Sequence, residues 1–102
     1  MKQIVAIVKP FRAQAVIEAI GEFRPDTVLV SEAKGYGRQK DKFPLYLGGE
    51  YSPVYLPKIE IHALVQDAIA ERVAERIVDA ARTGRIGDGK ILVFPVLYSL
   101  DF

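Results

Sequence analysis

Two segments of this chain, residues 4–8 and residues 91–97, are apolar at consecutive positions instead of in alternation. Successive side chains of a strand point to opposite faces of its sheet, so strands of this kind must be covered on both sides. At 102 residues the chain makes one domain, residues 1–102, with one core and no length left for a further layer. The pattern therefore predicts that other subunits cover one side of the sheet.

The remaining periodicities fill in the rest. Residues 3–9 read as a first strand, stopped by Pro10. Residues 13–21 place Val16, Ala19 and Ile20 at helical spacing, with Phe23 just beyond on the same stripe. Residues 27–36 form a second strand and residues 59–66 a third, in which Ile59, Ile61 and Ala63 alternate with Glu60, His62 and Leu64. Asp67 suits the N-cap of a helix that reaches Arg82, burying Ile69, Val73, Ile77 and Ala80 and keeping Arg72, Glu75, Arg76 and Asp79 in water. The order strand, helix, strand, strand, helix, strand predicts an α+β, ferredoxin-like βαββαβ sandwich with a long loop between strands 2 and 3. Both helices then lie on one face of an antiparallel sheet.

That loop, residues 37–57, has three prolines, paired glycines and no hydrophobic period. It also carries Phe43, Tyr46, Tyr51 and Tyr55, which on an exposed loop are contact material for a partner. A second, shorter loop follows the second helix as Thr83-Gly84-Arg85-Ile86-Gly87-Asp88-Gly89-Lys90. Glycines let successive backbone N–H groups turn inward around a phosphate, and a lysine adds a mobile cation. Gly84 through Lys90 fits G-x-x-x-x-G-K, but Ile91 stands where a P-loop needs Ser or Thr, and a strand follows instead of a helix. The segment does not read as the P-loop of an NTPase. Taken alone, the loop fits a phosphate cradle or a plain helix cap followed by a turn.

Composition narrows the partners. Fourteen basic against thirteen acidic residues leave no excess charge to attract nucleic acid, so any anion must be held locally. Without cysteine there is no disulfide framework, thiol nucleophile or cysteine-based zinc site, and the single histidine, His62, reads as a polar strand residue facing a cleft. The apolar run at the amino end stops at Lys9, too soon for a signal peptide or a membrane span, and the expectation is a cytoplasmic protein.

Four sequence stretches then come together: Lys34-Gly35-Tyr36-Gly37-Arg38-Gln39-Lys40, Leu45-Tyr46-Leu47-Gly48-Gly49-Glu50-Tyr51, Leu56-Pro57-Lys58, and residues 83–90. With Ile7-Val8-Lys9-Pro10-Phe11 at the start, the chain resembles the PII signal transduction family from its first strand to about Val96. The resemblance implies a homotrimer with nucleotide sites between subunits. It names residues 37–57 the T-loop and residues 83–90 the B-loop. By the same analogy Gly35, Gly37, Arg38, Gly87, Asp88, Gly89 and Lys90 line a site for ATP or ADP, with Ile7 and Leu64 as its apolar wall. Gln39 matches the position that joins the magnesium bound to ATP, and Lys58 the cation that meets a carboxylate of 2-oxoglutarate. Tyr51 matches the position that some members modify with a nucleotidyl group. The implied partner of the T-loop is a membrane transporter or a metabolic enzyme, in nitrogen or related metabolism.

Several residues depart from the family pattern. Residues 98–102, Tyr-Ser-Leu-Asp-Phe, stand where the family has basic residues that hold phosphates. Asp41 puts a carboxylate beside the 2-oxoglutarate pocket, where a dicarboxylate would be repelled. His62 replaces a common acidic residue, and Leu29 a hydroxyl that often meets the adenine. Phe43, Pro44, Leu47 and Pro53 make the T-loop tip more apolar than usual. These departures favour an alternative: a divergent PII-like sensor of ADP, AMP or another small anion, indifferent to 2-oxoglutarate and serving a non-nitrogen transport system. An enzyme finds no support in the sequence, which offers no nucleophile–base pair. A trimeric scaffold without nucleotide, its glycine loop only a turn, is the remaining reading.

Overall fold

The structure, a computed structural model, describes residues 1–36 and 55–102. Strand β1 (Lys2–Val8) leads through a 3-10 turn (Pro10–Arg12) into helix α1 (Ala13–Gly21). Strands β2 (Thr27–Gly35) and β3 (Leu56–Val65), helix α2 (Asp67–Ala81) and strand β4 (Gly89–Pro95) follow. All pairings are antiparallel, in the order β2-β3-β1-β4. This is the α+β, ferredoxin-like sandwich that the periodicities predict.

Local chemistry explains the boundaries. Pro10 ends β1 because it has no N–H for the ladder, yet its fixed φ starts the 3-10 turn. Past α1 the chain reverses at Arg24, a non-glycine residue with φ 49°, whose N–H donates to the Gly21 carbonyl. Strand β3 begins at Leu56, three residues before the sequence reading, and includes Pro57. Pro57 is tolerated because β1 ends at Val8, opposite Ile59, so β3 has only β2 beside it at that point. Asp67 is not the N-cap of α2. Gln66 holds that place without a side-chain bond, while Asp67 opens the helix and accepts from the Met1 amine at 2.9 Å. That hydrogen bond holds the Asp67 carboxyl below its usual pKa.

Ile4, Ala6 and Val8 of β1 and Ile61, Ala63 and Val65 of β3 face the helices, meeting Val16 and Ile20 of α1 and Val73 and Ile77 of α2. Burying each branched side chain stabilises by about 1.5–3 kcal/mol. The α2 stripe is turned slightly from the expected one. Ala70 and Ala81 are buried with Val73 and Ile77, while Ile69 and Ala80 sit on its flank, partly buried. Positions 70, 73, 77 and 81 run straight along a helix, and residues one step off that line fall to its side.

Register puts Leu29, Leu64, Val5, Ile7, Leu92 and Phe94 on the other face of the sheet. Leu29 is 64% exposed and Phe94 45%, and no described helix covers this side. Among the described residues no helix is long and apolar enough to cross a membrane.

Candidate functional site

Where β1 ends, β2 ends, β3 begins and β4 begins, four strand termini share one edge of the open face. Register pairs Ile7 with Glu60 on one side and with Lys90 on the other, so Lys90 is a strand residue, not a loop residue. Gly35 and Lys58 complete the corner. A Cβ at Gly35 would come within 3.0 Å of Lys58 Cγ and 3.3 Å of the Leu56 carbonyl oxygen, so the lysine stem crosses Gly35 because that residue lacks a side chain. The Lys58 Nζ then donates to the Gly87 carbonyl at 3.3 Å, joining the start of β3 to the glycine loop.

Asp88 shapes that loop. Its carboxylate accepts from the Thr83 hydroxyl, from Thr83 N–H at 2.6 Å, Gly84 N–H at 3.0 Å and Arg85 N–H at 3.3 Å, and from Lys9 Nζ at 3.2 Å. The Thr83 side chain, then its backbone N–H, hold the Asp88 carboxyl far below the usual carboxylate range. The two remaining turns are made by Gly84 and Gly87, at φ 85° and 86°, where a side chain would be strained. Gly89 meets a different demand. A Cβ there would lie 2.8 Å from the Ile7 carbonyl oxygen, so β4 approaches β1 closely because residue 89 has none.

Of the residues singled out from sequence, Ile7, Gly35, Lys58, Gly87, Asp88, Gly89 and Lys90 share this corner. Leu64 does not. It pairs with Gln3, four residues along β1 from Ile7, about 13 Å away at the usual rise of a strand. Gly37, Arg38, Gln39, Asp41 and Tyr51 lie outside the described residues. The residues bracketing that segment, Tyr36 and Tyr55, face each other with ring centroids 6.0 Å apart, and Lys34 Nζ stands 4.8 Å over the Tyr55 ring. Sequence reasoning assigned no role to Lys9 or Thr83. The only hint was a cation ending β1 and a hydroxyl five residues before an aspartate.

His62 is a polar strand residue. Gln3 Nε2 donates to its Nδ1 at 3.0 Å and its Nε2–H donates to Glu60 Oε1 at 2.6 Å, which engages both ring nitrogens. Among the described residues no group of three or more His, Cys, Asp or Glu could hold a metal ion.

Chemically, the corner offers two cations, Lys58 and Lys90, a turn of glycine backbone, and an apolar wall at Ile7. Such a set suits a polyanion with a flat apolar part. Comparison with known proteins shows which family the chain is similar to. A family model described as nitrogen regulatory protein P-II matches residues 1–99. The chain is 50% identical to nitrogen regulatory protein P-II of Rhodospirillum rubrum and 51% to that of Azospirillum brasilense, in each case over 94% of this chain and 86% of the relative. It is 47% identical to nitrogen regulatory protein P-II 1 of Escherichia coli over the same shares.

Proposed function

The chain belongs to the nitrogen regulatory protein P-II family, a family of signal transducers, and from that premise we propose that it binds ATP or ADP between the subunits of a homotrimer. It is a regulator in nitrogen metabolism and not an enzyme. In this reading residues 1–102 are a single PII-like domain, residues 37–57 are its T-loop and residues 83–90 its B-loop.

One observation carries the reading most. Ile7, Gly35, Lys58 and the Gly87–Lys90 stretch gather at one edge of an uncovered apolar face, while Leu64 lies at the far end of the same face. An apolar wall made of both Ile7 and Leu64 calls for a second copy packed against that face, which is also what strands apolar on both sides require. Gly35, Gly37, Arg38, Gly87, Gly89 and Lys90 would hold the phosphates through backbone N–H groups and cations. Asp88 would take part through its backbone, since Thr83, Gly84, Arg85 and Lys9 already occupy its carboxylate. Magnesium, when bound with ATP, would supply charge neutralisation next to Gln39. Lys58 would meet 2-oxoglutarate, at the expense of its bond to the Gly87 carbonyl, and so pass occupancy from the B-loop to the base of the T-loop. The T-loop in turn would engage a membrane transporter or a metabolic enzyme in the cytoplasm, with Tyr51 as a contact or a modification point.

A second reading rests on the segment after β4. Residues 98–102 contain no cation, and Asp101 is exposed there. Losing charge-assisted contacts of about 1.5–3 kcal/mol each would favour ADP, AMP or another small anion over ATP. Asp41 would oppose 2-oxoglutarate, and the sensor would then serve another transport system.

Isothermal titration with ATP, ADP and AMP, with magnesium and with or without 2-oxoglutarate, separates the two; light scattering gives the oligomer. ATP tightened by 2-oxoglutarate supports the first reading, and ADP or AMP preferred without any 2-oxoglutarate effect supports the second. A monomer, or a chain that binds none of them, refutes both.

A further inference from the structure

The helix side of β4 borders a cavity that shares Gly87, Asp88, Gly89 and Lys90 with the nucleotide reading but has a floor and a rim of its own. Its volume is about 360 Å³, within the size range of small-molecule sites, and it lies between the end of α2, the start of β4 and the back of the glycine loop. Val8, Ile77 and Ala81 from the core form its apolar part, with Val78 and Ile91 beside them. Arg82 and Arg85 also line it, and among the described residues no carboxylate or carbonyl accepts from either guanidinium. Asp88 lines it too, but its oxygens are taken by Thr83, Gly84, Arg85 and Lys9, and Lys9 balances its charge.

An apolar recess rimmed by two unmatched guanidiniums is complementary to one kind of small molecule, an apolar body ending in an anion. We propose that this cavity binds an amphiphilic carboxylate, a short acyl or aryl chain seated on Val8, Ile77 and Ala81 with its carboxylate between Arg82 and Arg85. Register turns Gly89 and Ile91 towards the helices and Ile7 and Lys58 towards the open face, so the apolar seat lies across the sheet from the corner, and the two share Gly87, Asp88, Gly89 and Lys90.

Octanoate is the probe, with 1-octanol and acetate as controls that keep only the apolar body or only the charge. Titration of the full chain, followed by amide NMR, should show octanoate shifting Ile77, Val78, Ala81 and Ile91, with 1-octanol weaker and acetate inert. Replacing both arginines (R82Q with R85Q) should weaken octanoate about tenfold or more, the loss expected for charge-assisted bonds. The cavity-filling A81L, a second and independent variant, should abolish binding, with circular dichroism reporting that each variant is folded. Shifts centred on Leu29, Leu92 and Phe94, equal affinity for 1-octanol, an unchanged affinity in the arginine variant, or displacement of octanoate by ATP would each overturn the proposal. Apart from the ATP displacement, none of these results depends on whether the open-face corner binds a nucleotide.

Discussion

Replacing Gly89 by alanine tests the close approach of β4 to β1 on which the corner depends. The new Cβ would stand 2.8 Å from the Ile7 carbonyl oxygen, whereas ordinary contact begins at 3.4 Å. The oxygen is backbone, held in the sheet between β3 and β4, so it cannot swing away as a side chain could. The two strands must therefore part by about half an ångström in a region packed to crystal density. Overpacking of this kind costs about 1–3 kcal/mol, and a loosened ladder hydrogen bond about 0.5–1.5 kcal/mol more. Together they predict a loss of about 2–4 kcal/mol, or a fall in Tm of about 10–25 °C for a domain near this size. Gly21→Ala is the control, because a Cβ there meets nothing within 4 Å and the position is helical. It should gain about 0.5–1 kcal/mol. The assay is urea unfolding followed by circular dichroism, at one fixed protomer concentration, since self-association would couple stability to concentration. A Gly89→Ala midpoint equal to that of the parent would refute the steric argument, because a Cβ at 2.8 Å from backbone cannot be accommodated without cost.

Three further outcomes are expected. The Asp88 carboxyl has its pKa lowered on folding, so its contribution to stability is full above the ordinary value of 3.8 and is lost as the pH falls below it. Asp88→Asn should therefore shrink the stability difference between neutral and acidic pH, and a variant with the parent's pH dependence in urea midpoints would contradict this. Arg24→Gly relieves a left-handed backbone at φ 49° and should add about 1 kcal/mol of stability, read by the same unfolding assay; a loss instead would mean the side chain makes compensating contacts. Leu92→Glu places a charge opposite Val5 on the open face and should yield a monomer in light scattering with unchanged circular dichroism, while an intact oligomer would show that copies do not pack through that face.

Much of the fold is written in the sequence because burial imposes a period that can be counted. Val16, Ala19 and Ile20 on α1, and Ile61 and Ala63 on β3, fall on the buried side as their spacing requires. What spacing cannot supply is the neighbour. Pro57 reads as the end of the loop, and only the end of β1 at Val8 explains why β3 can carry a proline, which removes a ladder donor. Asp67 looked like a cap because aspartate suits one, until the Met1 amine claimed it. The site shows the same division. Glycines and lysines could be marked as phosphate chemistry from their types, whereas the crossing of Gly35 by the Lys58 stem is visible only in the structure. The work of Asp88 could not be read either, since it depends on five donors, one of them Lys9, seventy-nine residues away. Sequence also gave no sign that Leu64 lies so far from Ile7, because membership of one face says nothing about position along it.

The strand order sets the timetable of folding. Strand β1 is made first but lies between β3 and β4, so its hydrogen bonds are completed only when residues 89–95 have emerged. Pairings that span nearly the whole chain close slowly, because the loop entropy must be spent before the contacts form. A nascent chain stopped after α2 would expose one apolar edge of β1 and part of the core under α2, a surface prone to capture by other chains. The last strand is therefore also the one that makes the first strand safe, and synthesis arrested before Gly89 should yield aggregates and not a partial domain.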